Sequence, residues 1–254
     1  YLPRVGNHVY NGTSWVNEGL LLESEARTNL LPYSSDFTDA SWIKSATVTA
    51  GAAASPDGDL SASLVHPATT GTFRGLALSA DTTTNTSTIF AKASGKTWIS
   101  IGTGNSGGAM VWFDLENGLV GTEPVGYSGS IEDFGNGWYR CSASWSGSYS
   151  FLVFRVQDGD NTTTVTASGT DGVYVYGAQL ETGSIPTSYI PTAGATVTRA
   201  ADVATIPIAN VTYPSTRTEV TGTELVTNGT FDTDLTGWTT TGSTVGYEPT
   251  WTAT

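Results

Sequence analysis

The chain has 254 residues, of which 38% are hydrophobic and only 13% charged, and its 10 basic and 23 acidic side chains give a formal net charge of -13. That length supports one sizeable core with appendages, or two modest domains, and the acidic balance argues against nucleic acid and anionic membrane as partners. No apolar run approaches the roughly 20 residues that cross a bilayer, and the single cysteine, Cys141, excludes an internal disulfide, so the fold must stand on packing alone. Thr, Val, Tyr, Trp and Phe recur while the strong helix formers are scarce, which predicts an all-β fold.

Taken in chain order, residues 1–28 mix short extended stretches with turn signals at Asn11-Gly12 and Glu18-Gly19 and read as an N-terminal lead-in. The chain opens on Tyr1, without a signal-peptide pattern, and reads as a piece of a longer protein. Residues 29–192 have the texture of a β-sandwich of two antiparallel sheets, with short strand-like runs separated by Gly, Asn, Asp and Ser clusters. Seven runs stand out: Ser45 to Ala50, Ser87 to Ala93, Thr97 to Gly102, Ala109 to Leu115, Trp138 to Trp145, Ser150 to Val156 and Val173 to Leu180.

Alternation assigns their faces. Tyr139, Cys141, Ala143 and Trp145 share one face and should be buried; Phe113 and Leu115 oppose Trp112, and Val173 and Val175 oppose Tyr174 and Tyr176. The outward positions thus hold aromatics, which either stack on a ligand or are covered by packed sheets or a neighbouring subunit. Trp42 and Trp138 follow turn signals and read as core anchors. Residues 193–223, rich in Thr, Ala and Pro, read as a C-terminal linker or an extended strand laid against a neighbour. Residues 224–254 begin with ELVTNGTFDTDLTGW, which echoes NLLPYSSDFTDASW at Asn29 to Trp42 and predicts the start of a second, truncated sandwich-like module.

Three stretches, Gly19 to Phe37 (GLLLESEARTNLLPYSSDF), Gly135 to Trp145 (GNGWYRCSASW) and Asp171 to Val203, in their joint order resemble a module recurrent in phage tail fibre, tailspike and head-fibre proteins. The segment ELVTNGTFDTDLTGW is similar to the opening strand of jelly-roll carbohydrate-binding modules. The resemblance implies a jelly-roll sandwich acting as a virion structural part in host attachment, commonly a homotrimer joined to other virion proteins at the particle surface. It also implies a structural calcium beside the first strand, for which the matching positions are Asp36, Asp39 and Glu181.

No catalytic residue is expected. His8 and His66 lie in the lead-in and in a Pro-flanked loop, no zinc, Walker or nucleophile-elbow motif occurs, and the pairs Glu132/Asp133 and Asp158/Asp160 fall in turn-like sequence. No cofactor is required, a structural calcium being the one candidate. Saccharide binding needs flat aromatic faces and a few polar side chains, and the outward set Trp112, Tyr174, Tyr176, Arg140 and Arg155 supplies both. A non-catalytic virion structural or fibre module acting in host attachment, with a cell-surface glycan as a candidate partner, is therefore the first expectation. A polysaccharide-binding module of a secreted bacterial enzyme or adhesin is the second.

Overall fold

The computed structural model describes residues 4–82, 85–104, 108–147 and 149–203. The described residues form eighteen strands and no helix. In chain order these are β1 (Arg4–Tyr10), β2 (Trp15–Leu21), β3 (Arg27–Asn29), β4 (Ile43–Lys44), β5 (Thr47–Ala53), β6 (Ala62–His66), β7 (Gly71–Thr72), β8 (Gly75–Thr82) and β9 (Asn85–Ser94). They continue with β10 (Trp98–Thr103), β11 (Met110–Asp114), β12 (Leu119–Val120), β13 (Tyr127–Asp133), β14 (Trp138–Trp145), β15 (Tyr149–Gln157), β16 (Thr164–Val165), β17 (Gly172–Thr182) and β18 (Val197–Arg199).

Two six-stranded antiparallel sheets, ordered β12-β11-β10-β15-β8-β4 and β13-β14-β9-β17-β6-β5, pack face to face as a jelly-roll sandwich. The chain passes repeatedly from one sheet to the other, as at β8 to β9, β9 to β10 and β14 to β15, so the central neighbours, such as β8 and β15 or β9 and β17, are distant in sequence. Between the sheets lies one apolar core, to which β10 contributes Ile99 and Ile101, β11 Val111 and Phe113, β15 Leu152 and Phe154, and β14 Cys141, Ala143 and Trp145. Val173 and Val175 join it from β17, so the faces read from alternation are those observed. Cys141 is fully buried, and burial pushes its thiol well above the usual range.

In β17 the period of two breaks informatively. Between Tyr176 and Gln179 the β17–β9 register shifts at a bulge containing Gly177, whose φ is 59°. Val173 and Val175 face the core before it, Ala178 and Leu180 after it; without the extra residue the second pair would point outward. The bulge also changes β17's edge partner: Val173–Val175 pair with β6, whereas Leu180 O accepts the Leu30 amide and the Ala178 amide donates to Ser34 O, both at 2.7 Å. A Cβ on Gly177 would come within 3.0 Å of the Phe90 ring and 3.3 Å of the Tyr189 ring, in a backbone region that L-residues avoid. Gly177→Ala should therefore lower unfolding free energy by about 1–3 kcal/mol, measured by urea denaturation.

The first and third of the stretches that carried the resemblance meet around this bulge. Asn29, fully buried, donates from Nδ2 to Ala178 O (3.2 Å) and Ile190 O (2.8 Å), and its Oδ1 accepts the amides of Leu31 (3.1 Å) and Leu180 (3.2 Å). Ser34 Oγ bonds the Tyr189 hydroxyl at 2.6 Å and accepts the Thr192 amide at 2.8 Å. β18 pairs with β3, and Arg199 lies 2.6 Å from the Glu23 carboxylate. Glu23 and Asp202 close the ring reciprocally: the Glu23 amide donates to Asp202 Oδ2 and the Asp202 amide to Glu23 O, both at 2.9 Å.

Strand β3 straddles the division read at residue 29, and β18, inside the stretch read as a linker or an extended strand, is a strand paired with the chain's own β3. The Thr- and Ala-rich composition of that stretch gave no period because a three-residue edge strand is too short to show one. The lead-in is likewise a hairpin, β1–β2, with Tyr10 opposite Trp15 and Asn11 Oδ1 accepting the amides of Thr13 (3.0 Å) and Ser14 (2.9 Å). Residues 204–223 of the expected linker and the expected module at 224–254 lie outside the described residues.

Candidate functional site

The five residues expected to face a ligand are outward, but they divide between the two sheets. Trp112 and Arg155 lie on the outer face of the first sheet, Arg140, Tyr174 and Tyr176 on that of the second. They cannot form one site.

On the first sheet the outward residues are covered. Trp112 is only 5% exposed, packs with Ala77, Met110, Val153 and Trp98, and donates from Nε1 to Thr162 O at 3.2 Å. Arg155 is 3% exposed; its guanidinium lies over the Phe73 ring at 4.3 Å and donates to Gly104 O at 3.1 Å. Burial brings its pKa down to about 10. The cause is the short β7–β16 ladder, with Thr72 opposite Thr164, which ties the loops bearing Phe73 and Thr162 together. Trp112 and Arg155 thus stabilise a loop layer, and neither presents a stacking face to solvent.

The second sheet differs. Phe90 of β9 and Trp138 of β14 are buried on its outer face, with Phe134, Tyr174, Tyr176 and Tyr189 packed around them. Phe90 meets Phe134 edge-on at 4.9 Å between centroids and Tyr189 at 6.1 Å, and Tyr176 lies 5.7 Å from Tyr189. The Tyr176 hydroxyl donates to Asp57; partial burial and that carboxylate hold the phenol well above its usual pKa. Against this face lies the hairpin, with Trp15 edge-on to Phe134 at 5.6 Å and still 43% exposed.

Two clefts result, one on each side of the Phe134 ring. The first, of about 390 Å³, is lined by Phe90, Phe134 and Tyr189 with His8, Glu132 and Arg140 among its polar groups. The second, of about 430 Å³, runs between Trp15, Phe134 and Trp138 and holds Lys92, Ser55 and Asn136. Arg140 donates to Thr187 O and holds its guanidinium 5.7 Å from the Phe90 centroid. Burial lowers its pKa, opposed by the charges of Glu132, Glu181 and Glu23. The arrangement offers aromatic faces beside hydrogen-bonding groups of both polarities, as a saccharide requires.

Sequence reasoning put Arg140 at this site, with Tyr174 and Tyr176 in the aromatic cluster behind it, and missed Trp15, Phe134, Tyr189 and Lys92. The signal for Trp15 was present in the Asn11-Gly12 turn flanked by extended runs, a hairpin pattern.

The expected calcium ligands do not assemble. Asp36 Oδ1 accepts the amide (3.0 Å) and hydroxyl (2.6 Å) of Thr38, and Asp39 Oδ1 those of Ser41 (2.8 and 2.7 Å), so both carboxylates close local turns. Glu181 is fully buried and accepts from Gln179 Nε2 at 2.9 Å and from the Thr187 amide at 2.8 Å. Among the described residues no three His, Cys, Asp or Glu side chains stand close enough to share a metal ion. The carbonyls beside the first turn already hold a cation, because Lys44 Nζ donates to Thr38 O (3.1 Å), Asp39 O (2.7 Å) and Trp42 O (3.0 Å). Lys44→Ala should cost about 1 kcal/mol of stability in thermal or urea unfolding by releasing those carbonyls.

Of the two acid pairs, Glu132 and Asp133 lie on β13 and not in a turn, while Asp158 and Asp160 serve loops. Asp158 lies 2.8 Å from Lys96 and accepts the Thr166 amide, and Asp160 accepts the amide (2.7 Å) and hydroxyl (2.8 Å) of Thr122. No protein-family model matches the chain, and no curated protein matches it.

Proposed function

We propose that this chain is a non-catalytic attachment module, of the kind built into phage fibre proteins, whose ligand is a surface polysaccharide held on the outer face of the second sheet. The observation that carries the reading is the pair of clefts around Phe134, where an exposed Trp15, an edge-packed Phe134 and buried Trp138 line a groove with polar groups at hand. Aromatic rings stack on the apolar faces of pyranoses while the polar groups select hydroxyls. The placement in a fibre rests on the three-stretch resemblance alone.

The test is affinity electrophoresis and calorimetry against bacterial surface polysaccharides with Trp15→Ala, Phe134→Ala and Trp112→Tyr variants. Retention of the unmodified protein, its loss in the first two variants and its persistence in the third are expected. A protein that no polysaccharide retards, or retention indifferent to Trp15 and Phe134, would defeat the proposal.

A further inference from the structure

Lys92 stands apart from the other basic side chains of the described residues, Arg4 aside. Arg27 pairs with Glu25, Lys96 with Asp158 and Arg199 with Glu23, while Lys44, Arg74, Arg140 and Arg155 donate to backbone carbonyls. Lys92 is the exception, with neither an ion pair nor a hydrogen bond. It lies on the outer face of β9, with Trp138 beside it in one neighbouring strand and Tyr174 in the other, and it lines the cleft between Trp15, Phe134 and Trp138.

No other charged side chain lines that cleft among the described residues. The acid of the lining loop, Asp57, turns its carboxylate to Ser55, Tyr176 and the Asp59 amide. The neighbouring cleft, by contrast, sets the carboxylates of Glu23 and Glu132 against Arg140. A half-exposed ammonium without a partner, on a chain of net charge -13, is a local inversion of the protein's own field. One compact point charge matches one monoanion and lacks the forked donors that favour phosphate.

Resting on the glycan reading above, we infer that the Lys92 cleft takes a hexuronic-acid residue, its ring against the aromatic wall and its carboxylate on the Lys92 ammonium. The probes are trisaccharides of galacturonic, glucuronic and mannuronic acid, each beside its carboxyl-reduced neutral form, titrated calorimetrically into the intact chain and into its Lys92→Gln and Lys92→Arg variants. For the acid that fits, affinity should exceed that of its reduced form by about fivefold, a preference kept by Lys92→Arg and abolished by Lys92→Gln. Reduced forms that bind as well as the acids, or a preference that survives Lys92→Gln, overturn the inference and leave the glycan reading standing. Failure of every trisaccharide, acidic or neutral, overturns the inference, while the glycan reading stands or falls with the polysaccharide electrophoresis.

Discussion

Asn29→Ala should lower the unfolding free energy by about 4 kcal/mol, because four buried backbone groups lose their partners together. The Asn29 carboxamide serves groups of both polarities: its amino group holds Ala178 O and Ile190 O, and its oxygen holds the Leu31 and Leu180 amides. Asn29→Asp separates the two halves of that role. The carboxylate still accepts from the amides but faces two carbonyls with no proton, so the loss at neutral pH should match or exceed that of alanine. Stability should recover in part as pH falls and the acid gains a proton to donate. Urea denaturation of the three proteins at pH 7 and pH 4 reads both effects.

Trp42→Ala should cost about 3–5 kcal/mol, in the range for truncating a fully buried aromatic. Trp42 is 1% exposed; its ring lies 5.3 Å from Phe37 and 6.1 Å from Phe154 between centroids, and its Nε1 donates to Tyr33 O at 3.1 Å. It therefore fastens the segment after β3 into the main core. Trp42→Phe keeps most of the packing and loses the hydrogen bond and part of the volume, so about 1–2 kcal/mol should be lost. Equal losses for the two variants in thermal unfolding would show that Trp42 does not fill the core as described.

How far the fold was legible follows from where alternation is strong. Runs such as Trp138 to Trp145 carry a period of two against a single core, and their faces were readable residue by residue. Strands β6 and β13 escaped, since Ser63 and Gly129 interrupt their apolar positions and β13, a sheet edge, has a half-exposed pattern; β8 escaped although Leu76, Leu78 and Ala80 alternate toward the core. The reading of Val173 to Leu180 as one strand falls inside β17, which runs Gly172–Thr182, but could not foresee the Gly177 bulge, which depends on Phe90 and Tyr189 arriving from elsewhere. The site was legible in chemistry and not in place. Outward aromatics were recognised on both sheets, yet which face is covered is decided by loops closing over Trp112 and Arg155 and by a hairpin that only partly covers Phe134. Those are tertiary facts without a local sequence signal.

The central claim, that the Phe134 face of the second sheet is the ligand surface, is tested most directly by chemical-shift mapping. A retained oligosaccharide would be titrated into the isotopically labelled chain while the indole and aromatic resonances are followed. Saturable shifts at Trp15, Phe134 and Trp138 with Trp112 unmoved are the predicted result. Shifts confined to the Trp112 face, or spread evenly over both sheets, would contradict it.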